Sequence, residues 1–68
     1  MFEVTSYNYP FILVMSRRTG ETYRFLIGKD GTLVSDGKFS DNGDARKTAK
    51  SYLVRRRMRE ELRTLLSA

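Results

Sequence analysis

The last 25 residues of the chain, from Asp44 to Ala68, contain neither glycine nor proline. These two residues disfavour helix interiors most strongly, so nothing in this segment interrupts a helix. The preceding letters SDNGD are typical of a helix start, because Ser40 or Asp41 can cap the first turn and Asp44 complements the helix dipole. A helix of about 22 residues would extend roughly 33 Å, which is longer than four short strands need for cover. We therefore expect part of the helix to extend beyond the rest of the fold.

The first forty residues predict a β-sheet, because short runs of β-branched and aromatic residues alternate with turn residues. Tyr9-Pro10, Gly20 and Asp30-Gly31 mark the turns. Gly37 is a candidate β-bulge in the last run. The predicted strands are FEVTSY (2–7), FILVMS (11–16), TYRFLIG (22–28) and TLVSDGKFS (32–40).

The predicted fold class is α+β, with an antiparallel meander of three to four strands followed by one long C-terminal helix. It forms a single domain, 1–68, with a sheet part at 1–40 and a basic amphipathic helix at 41–67. The run FILVMS is apolar on both faces, which indicates the most buried strand, and we expect Phe11 in the core. In the next run Tyr23, Phe25 and Ile27 share one face and Arg24 lies on the other.

The helix carries two apolar stripes on nearly opposite faces, at 100° per residue. The first stripe is Ala45, Ala49, Tyr52 and Leu53, and the second is Val54, Met58, Leu62 and Leu65. One straight helix cannot direct both stripes at one sheet. Three alternatives remain: the helix bends after Leu53, a small sheet curls round it and covers both stripes, or the second stripe is an interface with another molecule, such as a second copy in a homodimer.

The net charge of +5 belongs entirely to the C-terminal segment. Residues 1–42 contain five basic and five acidic side chains, whereas residues 43–68 contain eight basic and three acidic ones. Such asymmetry indicates an anionic partner, which can be nucleic acid, a membrane surface or an acidic protein.

The clearest basic feature is the run Arg55-Arg56-Arg57 followed by Arg59. Guanidinium groups can bind phosphate bidentately, and a phosphate backbone can contact positive charge from several sides. The alternative is a solvated face in which Arg56 pairs with Glu60 and Arg57 pairs with Glu61. The predicted nucleic-acid-binding residues are Arg55, Arg56, Arg57 and Arg59, with Lys47 and Lys50 on the same helix and Arg17 and Arg18 in a hairpin turn. Tyr7 and Tyr9 are additional candidates for stacking on unpaired bases.

Several classes of protein are not expected. The chain has no cysteine and no histidine, so thiolate metal sites, disulfides and histidine-based catalysis are absent. Neither GKDGT nor DGKFSDNGD has the spacing of a phosphate-binding or calcium-binding loop. Turn and capping roles account for the acids Asp30, Asp36, Asp41 and Asp44. We expect no enzyme activity, no cofactor and no metal. The longest apolar run, FILVM, is too short for a membrane span, so we expect a cytoplasmic protein.

Residues 23–53, YRFLIGKDGTLVSDGKFSDNGDARKTAKSYL, resemble the small ββα repeat of YegP-like proteins. The resemblance implies a sheet-plus-helix fold and no particular activity. A second repeat is absent here, and the Arg-rich helix is longer than the pattern requires. A fainter similarity is to integrase arm-binding and AP2-type domains, which present basic residues of a sheet to DNA, although their tryptophan is missing. The matching positions of the YegP-like pattern are Tyr23, Arg24, Phe25, Asp30, Gly31, Ser35, Phe39, Ser40 and Ala45.

The sequence therefore predicts a small, non-enzymatic binding protein of bacterial or phage type that contacts DNA or RNA through its Arg-rich helix as an accessory or regulatory factor. The alternative is a protein–protein interaction module that modulates another protein through the same helix. A membrane-surface helix is less favoured, because the second stripe has no Trp or Phe.

Overall fold

The computed structural model describes residues 1–37 and 42–67. Four strands form one sheet in the order β1-β2-β3-β4, and every neighbouring pair is antiparallel. One long helix follows, so the predicted α+β meander with a C-terminal helix is confirmed. The elements are β1 (Phe2–Asn8), β2 (Phe11–Ser16), β3 (Thr22–Ile27), β4 (Leu33–Ser35) and α1 (Gly43–Ser67).

Successive turns of a meander lie at opposite ends of the sheet. The β1–β2 turn contains Tyr9 and Pro10, and the carbonyl oxygen of Pro10 accepts a hydrogen bond from the Ile27 N–H at 2.8 Å. The β3–β4 turn, Gly28 to Thr32, therefore lies at the same end, which we call the Pro10 end. The β2–β3 turn lies at the other end, the Gly20 end, where Gly20 has φ 77°.

The core lies between the inner face of the sheet and the first half of α1. Ile12, Val14 and Phe25 are fully buried there, and Ala45 and Ala49 of the helix are fully buried against them. The small alanine side chains allow the helix backbone to approach the sheet closely. Burial of these apolar groups supplies the main favourable free energy of such a small domain.

The strands also position Arg24 on the outer face, opposite the buried Phe25, as the alternation predicts. Phe11 lies on the outer face too, with its side chain 37% exposed and the Arg24 guanidinium 4.9 Å from its ring centroid. The prediction that Phe11 belongs to the core is therefore wrong. Because Ile12 points inward, its neighbour Phe11 must point outward. The outer-face residues Leu13 and Met15 are only half-buried.

Among the described residues, the sheet has its irregularity in β1 and not at Gly37. The pairing of β1 with β2 shifts between Val4 and Ser6, which inserts Thr5 as an extra residue. Through this shift Val4 and Tyr7, three residues apart, both pack against the core. Strand β4 ends at Ser35, so the predicted bulge at Gly37 is wrong. Residues 38–40 of the predicted last strand lie outside the described residues.

The helix begins after Asn42, whose side-chain Oδ1 accepts hydrogen bonds from the N–H groups of Asp44 (2.9 Å) and Ala45 (3.1 Å). This is the geometry of an N-cap. The predicted caps Ser40 and Asp41 lie outside the described residues. Because α1 follows β4, it starts at the Gly20 end and runs towards the Pro10 end.

The 25 residues of α1 extend about 37 Å at 1.5 Å per residue, and the longest dimension of the molecule is 43 Å. The helix is partly buried up to Leu53, and every residue from Val54 to Ser67 is exposed. We call residues 54–67 the overhang. The second apolar stripe lies on it, and the exposed fractions of Val54, Met58, Leu62 and Leu65 are 57%, 58%, 57% and 74%. The alternative in which the sheet covers both stripes is therefore wrong.

The contact of Ala49 with the sheet gives a stability prediction. Ala49→Leu adds a large side chain where none fits, and overpacking of this kind costs about 1–3 kcal/mol. Urea unfolding followed by circular dichroism measures the change. Ser51→Leu, on an exposed position of the same helix, is the matched control and should change stability by no more than about 0.5 kcal/mol. Equal effects of the two substitutions would contradict the packing described here.

Candidate nucleic-acid interface

The overhang carries most of the excess charge of the molecule. It contains five arginines and two glutamates, which gives a net charge of +3. Six basic side chains of α1 form no ion pair within the described residues: Lys47, Lys50, Arg55, Arg57, Arg59 and Arg63. All six are exposed, so their charges are accessible to an anionic partner.

A groove of about 670 Å³ lies where α1 passes the Pro10 end of the sheet. One wall is the helix, and the other is built by the β1–β2 and β3–β4 turns. Its volume is within the range of about 300–1,000 Å³ that is typical of small-molecule sites. The lining residues are Tyr7, Tyr9, Ile27, Gly28, Lys29, Asp30, Gly31, Lys50, Leu53, Val54, Arg56, Arg57 and Glu60.

The contact of Arg56 with Tyr7 joins the helix to the sheet beside this groove. The Arg56 guanidinium lies 4.5 Å from the centroid of the Tyr7 ring, and the Tyr7 and Tyr52 ring centroids are 5.7 Å apart. Arg56 also forms the predicted ion pair with Glu60, at 3.5 Å, whereas Arg57 and Glu61 form no ion pair in the described part of the chain. Arg56 therefore has structural contacts, while Arg57 is accessible to a ligand.

The edge of the groove is basic and partly aromatic. Lys29, Lys50 and Arg57 are exposed and form no ion pair among the described residues. Tyr9 is 61% exposed, and its ring has no aromatic or cation–π contact within residues 1–37 and 42–67. The four basic and two acidic lining residues give the groove a net charge of +2. This combination of cations with an exposed aromatic ring can accept phosphates and a flat ring together.

The β3–β4 turn, which forms part of the sheet side of the groove, contains two glycines, Gly28 and Gly31, so few side chains project from it. A Cβ atom at Gly28 would lie 2.9 Å from the Thr32 Oγ1 atom, so a side chain there would displace the Thr32 hydroxyl, and Gly31 has φ 85°. The Asp30 Oδ1 atom accepts hydrogen bonds from the Thr32 hydroxyl (2.7 Å) and N–H (3.2 Å). These hydrogen bonds lower the pKa of Asp30, so its carboxylate is charged at neutral pH and opposes a bound anion.

The predicted arginine cluster lies on both sides of the helix. Arg57 lines the groove, but Arg55 is two residues earlier, about 200° round the helix, and does not. The Arg55 Nε–H donates to the Ser51 carbonyl oxygen at 3.3 Å. Arg59, one turn after Arg55, continues this second basic surface. Arg55 and Lys50 also line a shallow depression with Ser51 and Val54, so the two basic surfaces adjoin at this point of the helix.

The predicted hairpin residues Arg17 and Arg18 lie at the Gly20 end, at the opposite end of the sheet from the groove. The Arg17 Nη2 atom lies 2.8 Å from Glu3 Oε2, and this hydrogen bond raises the pKa of Arg17. Lys47 is exposed on α1 and does not line the groove, whereas Lys50 does. The structure therefore brings Lys50, Arg56 and Arg57 together and leaves the hairpin pair apart.

Sequence reasoning did not select Lys29, and it considered Tyr9 without placing it beside the helix. The predicted strand order could have identified both residues, because the first and third turns of a four-stranded meander always lie at the same end of the sheet. A helix that starts after β4 and exceeds the sheet in length must pass that end. The residues of those two turns were thus candidates for contact with the middle of the helix.

Comparison with known proteins adds no relative: no family model, curated protein or solved structure matches this chain. In the part of the chain that the structure describes, no cluster of three or more His, Cys, Asp or Glu side chains could hold a metal ion. No described helix combines the length and the apolar character that crossing a bilayer requires. The geometry of the described residues alone therefore carries the functional argument.

The Arg56–Tyr7 contact gives a second prediction. A double-mutant cycle with Tyr7→Leu and Arg56→Gln should yield a coupling free energy of about 0.5–1 kcal/mol, the size of a partly exposed cation–π contact. Thermal or urea unfolding of the four proteins measures it. The control cycle replaces Arg56→Gln with Arg59→Gln, and its coupling should stay below about 0.3 kcal/mol. Indistinguishable couplings in the two cycles would show that Arg56 does not join the helix to the sheet.

Proposed function

We propose that this protein binds nucleic acid through the basic helix α1 and catalyses no reaction. The observation that supports the proposal best is the set of exposed helix cations that lack acidic partners among the described residues. Solvated surface charges are normally interspersed with the opposite sign, but the overhang has a net charge of +3. Such a surface matches a polyanion with regularly spaced charges.

The dimensions of the overhang suit phosphate contacts. Its fourteen residues extend about 21 Å, and duplex DNA carries one negative charge per roughly 1.7 Å of its axis. About a dozen phosphates therefore lie within its length, so three or four of them can meet the basic surfaces simultaneously. These contacts carry no base-sequence information by themselves, which favours an accessory or regulatory role. The small size of the chain and its lack of cysteine favour a cytoplasmic protein of bacterial or phage type. The resemblance of residues 23–53 to a YegP-like repeat stays a prediction.

Salt dependence and matched charge reversals test this function. Binding of a labelled duplex should weaken with a log–log salt slope of about −2 to −4, as three or four phosphate contacts require. Arg57→Glu, Arg59→Glu and Arg18→Glu each lower the net charge of the chain equally, from +5 to +3. We expect the two helix substitutions to weaken binding and flatten the slope by about 0.7–0.9 each, and Arg18→Glu to leave both nearly unchanged. Fluorescence anisotropy at a series of salt concentrations measures both quantities.

Two results would contradict the proposal. If the unmodified protein does not bind duplex or single-stranded nucleic acid at low salt, the function is wrong. If the three charge reversals weaken binding equally, only the net charge matters and α1 is not the interface.

A second candidate function is contact with another protein through the second apolar stripe. The stripe is more than half exposed and continues over three turns of the overhang. Its flanks are basic, with Arg55 and Arg59 on one side and Lys50 and Arg57 on the other. In a homodimer, the overhangs of the two copies would each carry a net charge of +3 and would repel each other. Charge complementarity therefore favours an acidic amphipathic partner over a second copy.

Leu62→Asp tests this second candidate. The Leu62 side chain is 57% exposed and beyond the sheet, so the substitution should leave the unfolding midpoint nearly unchanged. Isothermal titration with a synthetic amphipathic helix, with leucines at i, i+3, i+4 and i+7 and flanking glutamates, should show binding that the variant loses. The same peptide with flanking lysines is the control and should not bind. Sedimentation of the protein alone should show a monomer, and a dimer that Leu62→Asp dissociates would identify a second copy as the partner instead.

A further inference from the structure

We propose that the groove at the Pro10 end accommodates an unpaired nucleotide, with its base stacked on Tyr9 and its neighbouring phosphates bound by Lys50 and Arg57. The inference rests on the proposed function and narrows it from nucleic acid in general to single strands. The juxtaposition that carries it is an exposed aromatic ring beside unpaired cations in a concave site of about 670 Å³.

Tyr9 differs from the other tyrosine of the groove. Tyr7 is half-buried, with Arg56 over its ring and Tyr52 beside it, so its aromatic surface is already covered by protein. Tyr9 is 61% exposed and has no ring contact among the described residues. The ring is therefore presented to solvent beside the groove.

The cations of the groove suit the phosphates on either side of such a base. Lys50 and Arg57 are two helical turns apart and line the same wall, while Lys29 lines the opposite wall. Leu53 and Val54 lie between the two helix cations in the sequence and add apolar lining. A base is flat and apolar on its faces, and its phosphates are charged, so the two kinds of lining residue match the two parts of a nucleotide.

A duplex cannot use this site in the same way. Paired bases are stacked on their neighbours and do not present their faces to a protein. A single strand can insert one base and keep its phosphates on the basic edge. We therefore expect the groove to favour single strands, while the second basic surface at Arg55 and Arg59 binds phosphates of either form.

Three probes of equal length separate the contribution of base stacking from that of phosphate contacts. They are a labelled oligothymidylate, an abasic strand with the same number of phosphates, and a duplex. The unmodified protein should bind oligothymidylate about 5- to 150-fold more tightly than the abasic strand, the range expected for one base–aromatic stack. Tyr9→Ala should abolish this preference and leave abasic-strand binding unchanged. Tyr9→Phe keeps the ring and should retain the preference. Circular dichroism should show unchanged folding, because Tyr9 is exposed.

Asp30→Asn provides an independent test of the groove. The substitution removes a negative charge from the lining, and the Asn carbonyl oxygen can still accept the Thr32 hydrogen bonds. Affinity for oligothymidylate should rise several-fold. Asp44→Asn changes the charge equally at the start of α1, away from the groove, and should have little effect.

The outcomes distinguish this inference from the proposed function. If the protein binds none of the three probes at low salt, the proposed function fails. If it binds the probes but Tyr9→Ala keeps the preference for oligothymidylate over the abasic strand, or if no such preference exists, the groove inference is overturned and the helix-phosphate function remains. Equal effects of Asp30→Asn and Asp44→Asn would also overturn the groove inference.

Discussion

The close packing of Ala45 and Ala49 on Ile12, Val14 and Phe25 is the contact on which the rest of the structure depends. A chain of 68 residues can bury only a small core, so losing part of this contact removes a large share of its stability. The contact also fixes the direction of α1 across the sheet. Every later position on the helix, including its cations, follows from that direction by helix geometry.

The difference in length between helix and sheet determines the surface chemistry. The sheet covers α1 only up to Leu53, so the overhang exposes both an apolar stripe and a net charge of +3. Neither property is needed to stabilise the core. Burying the stripe within the same molecule would require a larger sheet, and neutralising the charge would require acids that the helix lacks. The overhang is thus exposed, and its positive charge attracts anions more strongly than cations.

The groove depends on a different constraint, which is the order of the turns. The β1–β2 and β3–β4 turns lie at one end of the sheet, and the helix passes beside them, so that residues of both line one groove. Arg56 contributes to this arrangement through its contact with the Tyr7 ring, and Arg57, the next residue, lines the groove. One arginine of the run consequently has a structural role, while its neighbour remains accessible, although the sequence treats them alike.

The sequence by itself determined the strands and the helix, because turn residues and the absence of Gly and Pro after Gly43 are local signals. It also determined the overhang, because each helical residue adds a fixed rise and the summed length exceeds that of the short strands. It also located the charge excess. Tertiary structure alone decided the rest: the shift at Thr5 that lets Val4 and Tyr7 both face the core, the exposure of Phe11, the separation of Arg17 and Arg18 from the helix cations, and the meeting of Tyr9, Lys29, Lys50 and Arg57. These features depend on strand register and on contacts between residues far apart in the chain, which no local pattern encodes.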